Sequence, residues 1–384
     1  MKIGIDITSL IYQRGVSRYT ANLVRALAKY SKHSLSLYGY SFSQKKFLKK
    51  EAQKLIGSRN SSHQIKIQPI PISIQEKLWK VGLNKVGNNI QNPSIFHSWD
   101  WLQPPDKNIP IVSTVHDLAI LRFPESAHPR VLRAHQESWK RLKDNQSHLI
   151  AVSQATKKDL VELLDYPNWL IHVVAEALPT EFEDLDKQIT EEELDRIKYQ
   201  LKLDRPYILF VGVREPRKNL SRLIEAWQPF SNEVELIVVG EKGWDSSHKI
   251  DSKHLRFLGR VSDKQLSVLY AEAEAFAYPS LYEGFGLPIL EAFHHGTPVI
   301  TSDLSAMIEV SGNAAILVNP TSTEAIREGL NTILNENCLQ QQQRLQRMII
   351  RKQMFSWHKV AEQTIKVYQK AIDDFADRAS NDLT

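Results

Sequence analysis

The feature that most constrains this chain is a repeated alternation of short apolar runs with longer amphipathic ones. In the first half the runs are Lys2–Ile7, Ser34–Tyr40, Ile109–Val115 and His148–Val152. In the second they are Tyr207–Val211, Val234–Val239, Leu255–Leu258, Ala275–Tyr278, Pro298–Thr301 and Ala315–Val318. Most are rich in Val, Ile, Leu and Phe with little polar alternation, as strands covered on both faces must be. Between them the spacing predicts helices over Ser17–Tyr30, Pro129–Lys143, Gln154–Leu164, Leu220–Trp227 and Asp263–Glu274. Strand and helix in regular alternation specify an α/β fold with parallel sheets.

The alternation is interrupted once. Residues 176–206, EALPTEFEDLDKQITEEELDRIKYQLKLDRP, are acidic and polar and carry Pro179 and Pro206. They read as a linker and the opening helix of a second α/β domain. A length of 384 residues agrees with two domains at about 150 residues each. The expected division is 1–177 and 178–357, with a largely helical pattern to the end and a frayed tail over Asn381–Thr384.

Charge divides at the same place. Residues 1–180 hold 25 Lys and Arg against 13 Asp and Glu, and the remainder 24 against 31. The basic half either meets something anionic or presents solvated helix faces. No aromatic-basic motif points to nucleic acid. The single cysteine, Cys338, excludes an intrachain disulfide or a thiolate zinc site. The start MKIGIDITSLI is too polar and short for a signal-peptide core, and no run approaches 18 apolar residues. A cytoplasmic protein is expected, peripheral on the inner membrane face if it meets lipid. The basic stretch SIQEKLWKVGLNKVGNNI (73–90) reads either as an interfacial amphipathic helix or as an ordinary packed one.

Four segments carry chemistry. The richest is YPSLYEGFGLPILEAFHHGTPVITSD, residues 278–303. A strand ends there, Gly284 and Gly286 permit an unusual turn, and a helix begins near Leu287 with Pro288 in its first turn. Main-chain N–H groups of such a turn suit a phosphate or sugar hydroxyl. Glu283 and Glu291, eight positions apart, are a carboxylate pair suited to vicinal hydroxyls, or else a helix-start acid and an exposed helical residue. The second segment, VGVREPRKNLSRLIEAW (211–227), groups Arg214, Arg217 and Lys218 after a buried strand, with Asn219 as expected N-cap. Cations at that end of a strand would neutralise a diphosphate, or form a solvated basic turn. The third, TVHDL, places His116 and Asp117 after another strand. The fourth, GVSRYTANL, places Gly15 in a loop before a helix capped by Ser17. The dinucleotide glycine fingerprint, the Walker loop and H-E-x-x-H are missing, and the D-x-D at Asp184 and Asp186 reads as a solvated charge run.

Together these segments, with the late FSWHKVAEQT, resemble the family 4 retaining glycosyltransferases. The likeness covers nearly the whole chain and is most specific in YEGFGLPILEA followed by GTPVITSD. It implies the GT-B architecture: two Rossmann-like domains facing across a cleft, the first for the acceptor and the second for a nucleotide-diphosphate sugar. A final helix, about 358–380, would cross back to the first domain near Trp357. By the family's pattern Glu283 contacts the transferred sugar and Glu291 the ribose. Gly284, Phe285, Gly286 and Leu287 line the donor with main-chain groups. Arg217 and Lys218 clamp the diphosphate, beside Val213 and Arg214. His116 reaches over the donor sugar near its anomeric carbon, and Gly15 lies where acceptor meets diphosphate, with Arg18 and Asp117 on the acceptor side. No cofactor and no metal are implied.

Three positions depart from the pattern. Val213 stands where many members carry Arg, and His294 and His295 stand where a small residue and Cys often precede the glycine. The H-D-L and E-P-R-K-N variants are most similar to mannosyl- and rhamnosyl-type transferases of bacterial surface polysaccharides. The implied reaction is retaining hexosyl transfer to a saccharide or lipid-linked acceptor by front-side attack, since no residue stands out as a carboxylate nucleophile. The alternatives are a sucrose- or trehalose-type synthase of the same fold, or a catalytically silent scaffold.

Overall fold

The computed structural model describes every residue except 13–14, 58–62, 186–187, 244–252 and 382–384. Asp186 of the D-x-D and most of the expected frayed tail therefore lie outside the described residues. Two compact units partition the chain, Met1–Glu176 with Ser356–Thr384, and Ala177–Phe355.

The first unit is built on seven strands: β1 Lys2–Asp6, β2 Ser34–Tyr40, β3 Gln64–Gln68, β4 Ile95–Trp99, β5 Ile111–Val115, β6 His148–Ala151 and β7 Ile171–Val173. They lie in the order β3-β2-β1-β4-β5-β6-β7, all parallel. The second unit has six: β8 Tyr207–Val211, β9 Glu235–Val239, β10 Leu255–Gly259, β11 Ala275–Tyr278, β12 Val299–Ser302 and β13 Ile316–Val318. Their order is β10-β9-β8-β11-β12-β13, again parallel. Strand order reverses between β1 and β4 in one sheet and between β8 and β11 in the other. Ligands of doubly wound sheets bind beyond the strand C-termini at such points.

Buried side chains explain the sheets. Ile208, Phe210, Leu236, Val238, Ala275, Ala277 and Ile300 are at most 1% exposed and form one core with the helix Leu220–Trp227. That helix buries Leu220, Leu223, Ile224 and Trp227, the i, i+3, i+4, i+7 set of one face. Each such side chain contributes about 1.5–3 kcal/mol. The Trp227 indole N–H donates to the Val234 carbonyl at 2.9 Å, so even its polar atom is satisfied.

Three strands escaped the apolar pattern: β3, β4 and β7. β3 is a polar edge strand, QIKIQ, and β7 has only three residues. β4 reads IFHSW yet is wholly buried. Its His97 is satisfied at both nitrogens, Nδ1 with the Tyr368 hydroxyl at 2.6 Å and Nε2 with the Thr114 hydroxyl at 2.9 Å. Burial holds its pKa at about 3, so the ring stays neutral.

Segment 73–90 is not one amphipathic helix. It forms parts of Ile72–Lys80 and Val86–Asn89, separated at Gly82 and Asn84, both with positive φ. Trp79 is fully buried against Tyr38 and Tyr40 and donates its N–H to the Asn84 carbonyl at 3.0 Å. Trp79 is thus a core residue, as the ordinary packed reading has it. No helix among the described residues is long and apolar enough to cross a membrane.

The last helix, Trp357–Asn381, packs within the first unit, through Tyr368 on His97 and Arg378 Nη1 on the Gln146 carbonyl at 3.0 Å.

Candidate active site

In the second unit two loops at the C-terminal ends of β8 and β11 are tied to each other. After Val211 the chain turns through Gly212–Glu215 and a single 3-10 turn, Pro216–Lys218. Close backbone approach shapes this turn from outside. A Cβ on Gly240 would lie 2.0 Å from the Gly212 carbonyl oxygen, and one on Gly243 would lie 2.1 Å from that of Arg214. The main chain then binds the turn to the other loop, with Leu281 N–H donating to the Arg217 carbonyl at 2.7 Å.

Asn219 adds a second tie and departs from expectation. It precedes the helix in left-handed conformation (φ 59°), but its side chain makes no cap. Its Nδ2 donates to the carbonyls of Pro279 (3.0 Å) and Pro320 (2.6 Å), so it staples two loops instead.

This framework brings Arg217, Lys218 and Glu283 together. Lys218 Nζ lies 2.6 Å from Glu283 Oε1 and 2.7 Å from the Tyr278 hydroxyl; Arg217 Nη1 lies 2.9 Å from Glu283 Oε2. Glu215 completes the group, 2.7 Å from Arg217 Nη2. The Arg217, Lys218 and Glu283 side chains are 16%, 10% and 9% exposed, so the solvated-turn alternative fails. Burial pushes the Glu283 carboxyl up, but Lys218 and Arg217 outweigh it and hold it at about 2. A carboxylate so held is ionised at any physiological pH and serves only as an acceptor.

Downstream, Gly286 takes φ +102° immediately before the helix Leu287–His294, with Pro288 in the first turn as expected. Phe285 is buried edge-on to Phe355 at 5.7 Å, so main chain rather than ring is what this turn can offer a ligand. Glu291 is 6% exposed, not an exposed helical residue, and accepts from the Tyr270 hydroxyl at 2.9 Å. His295 stacks on Tyr270 at 5.8 Å and 8°, and Phe182 packs edge-on to both rings. The unusual histidine pair thus builds the wall behind Glu291. Arg214 lies over the Phe257 ring at 4.8 Å, and Val213 is 39% exposed.

In the first unit His116 follows β5. Its Nδ1 is 2.8 Å from Glu176 Oε1, and its ring meets Tyr19 edge-on at 4.7 Å and Trp99 at 6.4 Å and 24°. Burial pulls the imidazole pKa down, but Glu176, Asp100 and Asp117 outweigh it and the net direction is up. Asp117 also accepts from the Ala119 N–H at 2.9 Å, shaping the next turn. Gly15 is the first residue of the helix Gly15–Tyr30, not a loop residue. Ser17 is not its cap: inside the helix, its hydroxyl donates to the Ser9 carbonyl at 2.6 Å. Gly15 is exposed, with no described residue within 4 Å of where a Cβ would stand, and Arg18 is half-buried. Sequence patterns missed Glu176, Glu215, Tyr278, Tyr270 and Tyr19. All but Tyr270 sat inside quoted segments, yet Glu176, Tyr278, Tyr270 and Tyr19 act through contacts with residues distant in the chain, which no local pattern reveals.

Among the described residues no group of three or more His, Cys, Asp or Glu side chains is arranged to hold a metal ion.

Two parallel α/β units, with charged clusters at the strand C-termini, have the fold of the GT-B glycosyltransferases. The solved structure of Anabaena Alr3699/HepE in complex with UDP and glucose superimposes with a TM-score of 0.67, covering 96% of this chain and all of that one at 16% identity. Residues 13–182 match the Glycosyltransferase Family 4 profile, and residues 191–353 match Glycosyl transferases group 1. The O-antigen chain mannosyltransferase B of Escherichia coli is 32% identical over 270 residues, 67% of this chain and 70% of that protein. The O-antigen chain mannosyltransferase RfbU of Salmonella typhimurium is 31% identical over 57% of this chain and 60% of its own length. The chain belongs to glycosyltransferase family 4 and is a glycosyltransferase.

Proposed function

We propose that the protein transfers a hexosyl group, mannose favoured, with retention, from a nucleotide-diphosphate sugar to a saccharide or lipid-linked saccharide. The observation that carries this reading is the buried Arg217–Lys218–Glu283 cluster. It puts two cations beside one permanently ionised acceptor, which is what a sugar diphosphate requires at its two ends. The similarity to O-antigen mannosyltransferases supports the choice of sugar and acceptor class.

In this reading Arg217 and Lys218 stabilise the charge that grows on the departing diphosphate, and no metal is needed for that step. Arg214 and Val213 border the same phosphates. Glu283 accepts hydrogen bonds from the sugar hydroxyls and Glu291 from the ribose, while main-chain N–H groups of Gly284–Leu287 meet sugar or phosphate oxygens. His116 lies over the sugar, Gly15 near the diphosphate, and Arg18 and Asp117 toward the acceptor. The acceptor oxygen forms its bond to the anomeric carbon on the face from which the phosphate oxygen leaves. That phosphate oxygen takes the acceptor's proton, so atoms and charges balance without a protein nucleophile.

A panel of UDP-, GDP-, ADP- and dTDP-sugars tests it, with turnover, EDTA sensitivity and anomeric configuration read by NMR. The expected result is one preferred donor, unaffected by EDTA, whose anomeric configuration persists in the product. Inversion, strict metal dependence or inertness to every donor and acceptor class would overturn the reading.

A further inference from the structure

His116 is held by a residue no sequence motif pointed to. Glu176 is 60 positions away and ends the first unit's opening stretch, Met1–Glu176. Its carboxylate oxygen, an acceptor only when ionised, stands 2.8 Å from Nδ1, so the Nδ1 proton belongs to this bond. The ring cannot swing freely, since Tyr19 packs edge-on at 4.7 Å and 88° and Trp99 lies at 24° to it. The His116 carbonyl is itself fixed by the Thr156 hydroxyl at 3.3 Å. What remains is Nε2, buried and without a hydrogen-bond partner among the described residues. A buried polar atom left without a partner costs about 1–3 kcal/mol unless a ligand supplies one.

We infer that Glu176 is a positioning residue of the transfer reaction: it grips His116 by Nδ1 and so presents Nε2 as a hydrogen-bond donor to a substrate oxygen. This rests on the reading of His116 as a residue over the donor sugar. The charge around the ring decides that Nε2 donates rather than accepts. Three carboxylates face it, Glu176 in contact and Asp100 and Asp117 nearby, and they outweigh burial, so the doubly protonated form persists to higher pH than in a free imidazole. Of the other groups, His97 stays neutral, Tyr19 is pushed up by its own burial, and His135 is occupied with Asp100 at 3.5 Å. Glu176 is also where the chain passes from one unit to the next, so the ring's hold sits at a covalent crossing.

The sign follows directly. A histidine raised above its ordinary 6.5 keeps its Nε2 proton to higher pH than a free imidazole and loses it as pH rises through the raised value. Transfer efficiency should therefore fall on the alkaline side. Glu176→Gln keeps an oxygen that accepts from Nδ1 but removes the charge. Burial then dominates, and the fall should move to lower pH by at least about one pH unit.

The test uses the full-length 15N-labelled protein, with His116→Gln to assign the ring. Long-range 1H–15N spectra report each nitrogen's proton directly. Expected is an Nδ1–H at all pH values with a midpoint above 6.5, shifted down in Glu176→Gln and largely kept in Glu176→Asp. The alkaline limb of kcat/KM for the preferred nucleotide sugar should move in step. A bare Nδ1 in the wild type, or a Glu176→Gln titration and pH profile that superimpose on the wild type, would overturn the inference. The wild-type spectrum decides even if the variant does not fold. Should no nucleotide sugar be turned over, the functional reading fails by itself, while the spectra still report whether Glu176 holds the ring.

Discussion

The Glu283 cluster of the second unit and the His116 cluster of the first face the same physical cost and resolve it in opposite directions. Both bury an ionisable group at the C-terminal end of a parallel strand, where desolvation disfavours charge. Around Glu283 the neighbours are cations, Lys218 and Arg217, and the carboxyl is held at about 2. Around His116 they are carboxylates, Glu176, Asp100 and Asp117, and the imidazole is raised. In each place the nearby counter-charges outweigh burial and shift the balance toward the charged form. The result is a fixed acceptor in one unit and, on the inference drawn above, a donor in the other. Burial alone would have predicted two neutral groups and no division of labour.

The strongest way to break this contrast is to remove one charge. Glu283→Gln should lower transfer by about 10²–10³-fold, the scale for losing one preorganised polar contact to a transition state. Near-normal turnover in a steady-state assay would take Glu283 out of the site. The same substitution leaves Lys218 and Arg217 buried without their shared counter-ion. Breaking a buried pair from one side costs about 3–5 kcal/mol, which urea unfolding would read.

Acid should sharpen the contrast. Glu283's folded pKa of about 2 lies below the ordinary 4.5, so its stabilisation is full above 4.5 and is lost as pH falls toward 2. The stability gap between wild type and Glu283→Gln should narrow across that window alone. A gap that is constant from pH 5 to pH 2 would mean that the carboxyl is not held down by its cations.

Much of this was readable from the amino acids, for reasons that also mark the boundary. β8 and β11 are buried and apolar throughout, and β9 is so apart from Glu235, so periodicity finds them. β4 is equally buried but carries His97 and Ser98, whose polarity is satisfied by Tyr368 and Gln103 from elsewhere in the chain. The Glu283–Glu291 spacing and the Arg217–Lys218 turn are local patterns and were legible. The partners that set their chemistry were not, because Tyr278 meets Lys218 and Glu176 meets His116 only after the sheets form. Asn219 shows the limit most plainly. A residue type favoured at N-caps stands at the cap position, yet tertiary structure uses its amide to staple Pro279 to Pro320.

The smallest expected effect concerns the wall behind Glu291. Tyr270→Phe removes one hydrogen bond of 2.9 Å and leaves the ring stacked on His295. It should cost about 1–2 kcal/mol in donor affinity and little in kcat, since a single hydrogen bond to a charged group is worth roughly 1.5–3 kcal/mol. A larger loss in kcat than in donor affinity would move Glu291 from the ribose to the reacting sugar.

The central claim is that the Arg217–Lys218–Glu283 cluster divides between phosphate and sugar. Calorimetric titration with the preferred donor and with its sugar-free nucleoside diphosphate tests this most directly. Glu283→Gln takes the shared carboxylate away from Lys218 and Arg217, while Arg217 keeps Glu215, and leaves the sugar only a neutral amide acceptor. It should bind the nucleoside diphosphate at least as tightly as the wild type and lose the extra affinity contributed by the sugar. Equal loss for both ligands, or no loss for either, would contradict the account.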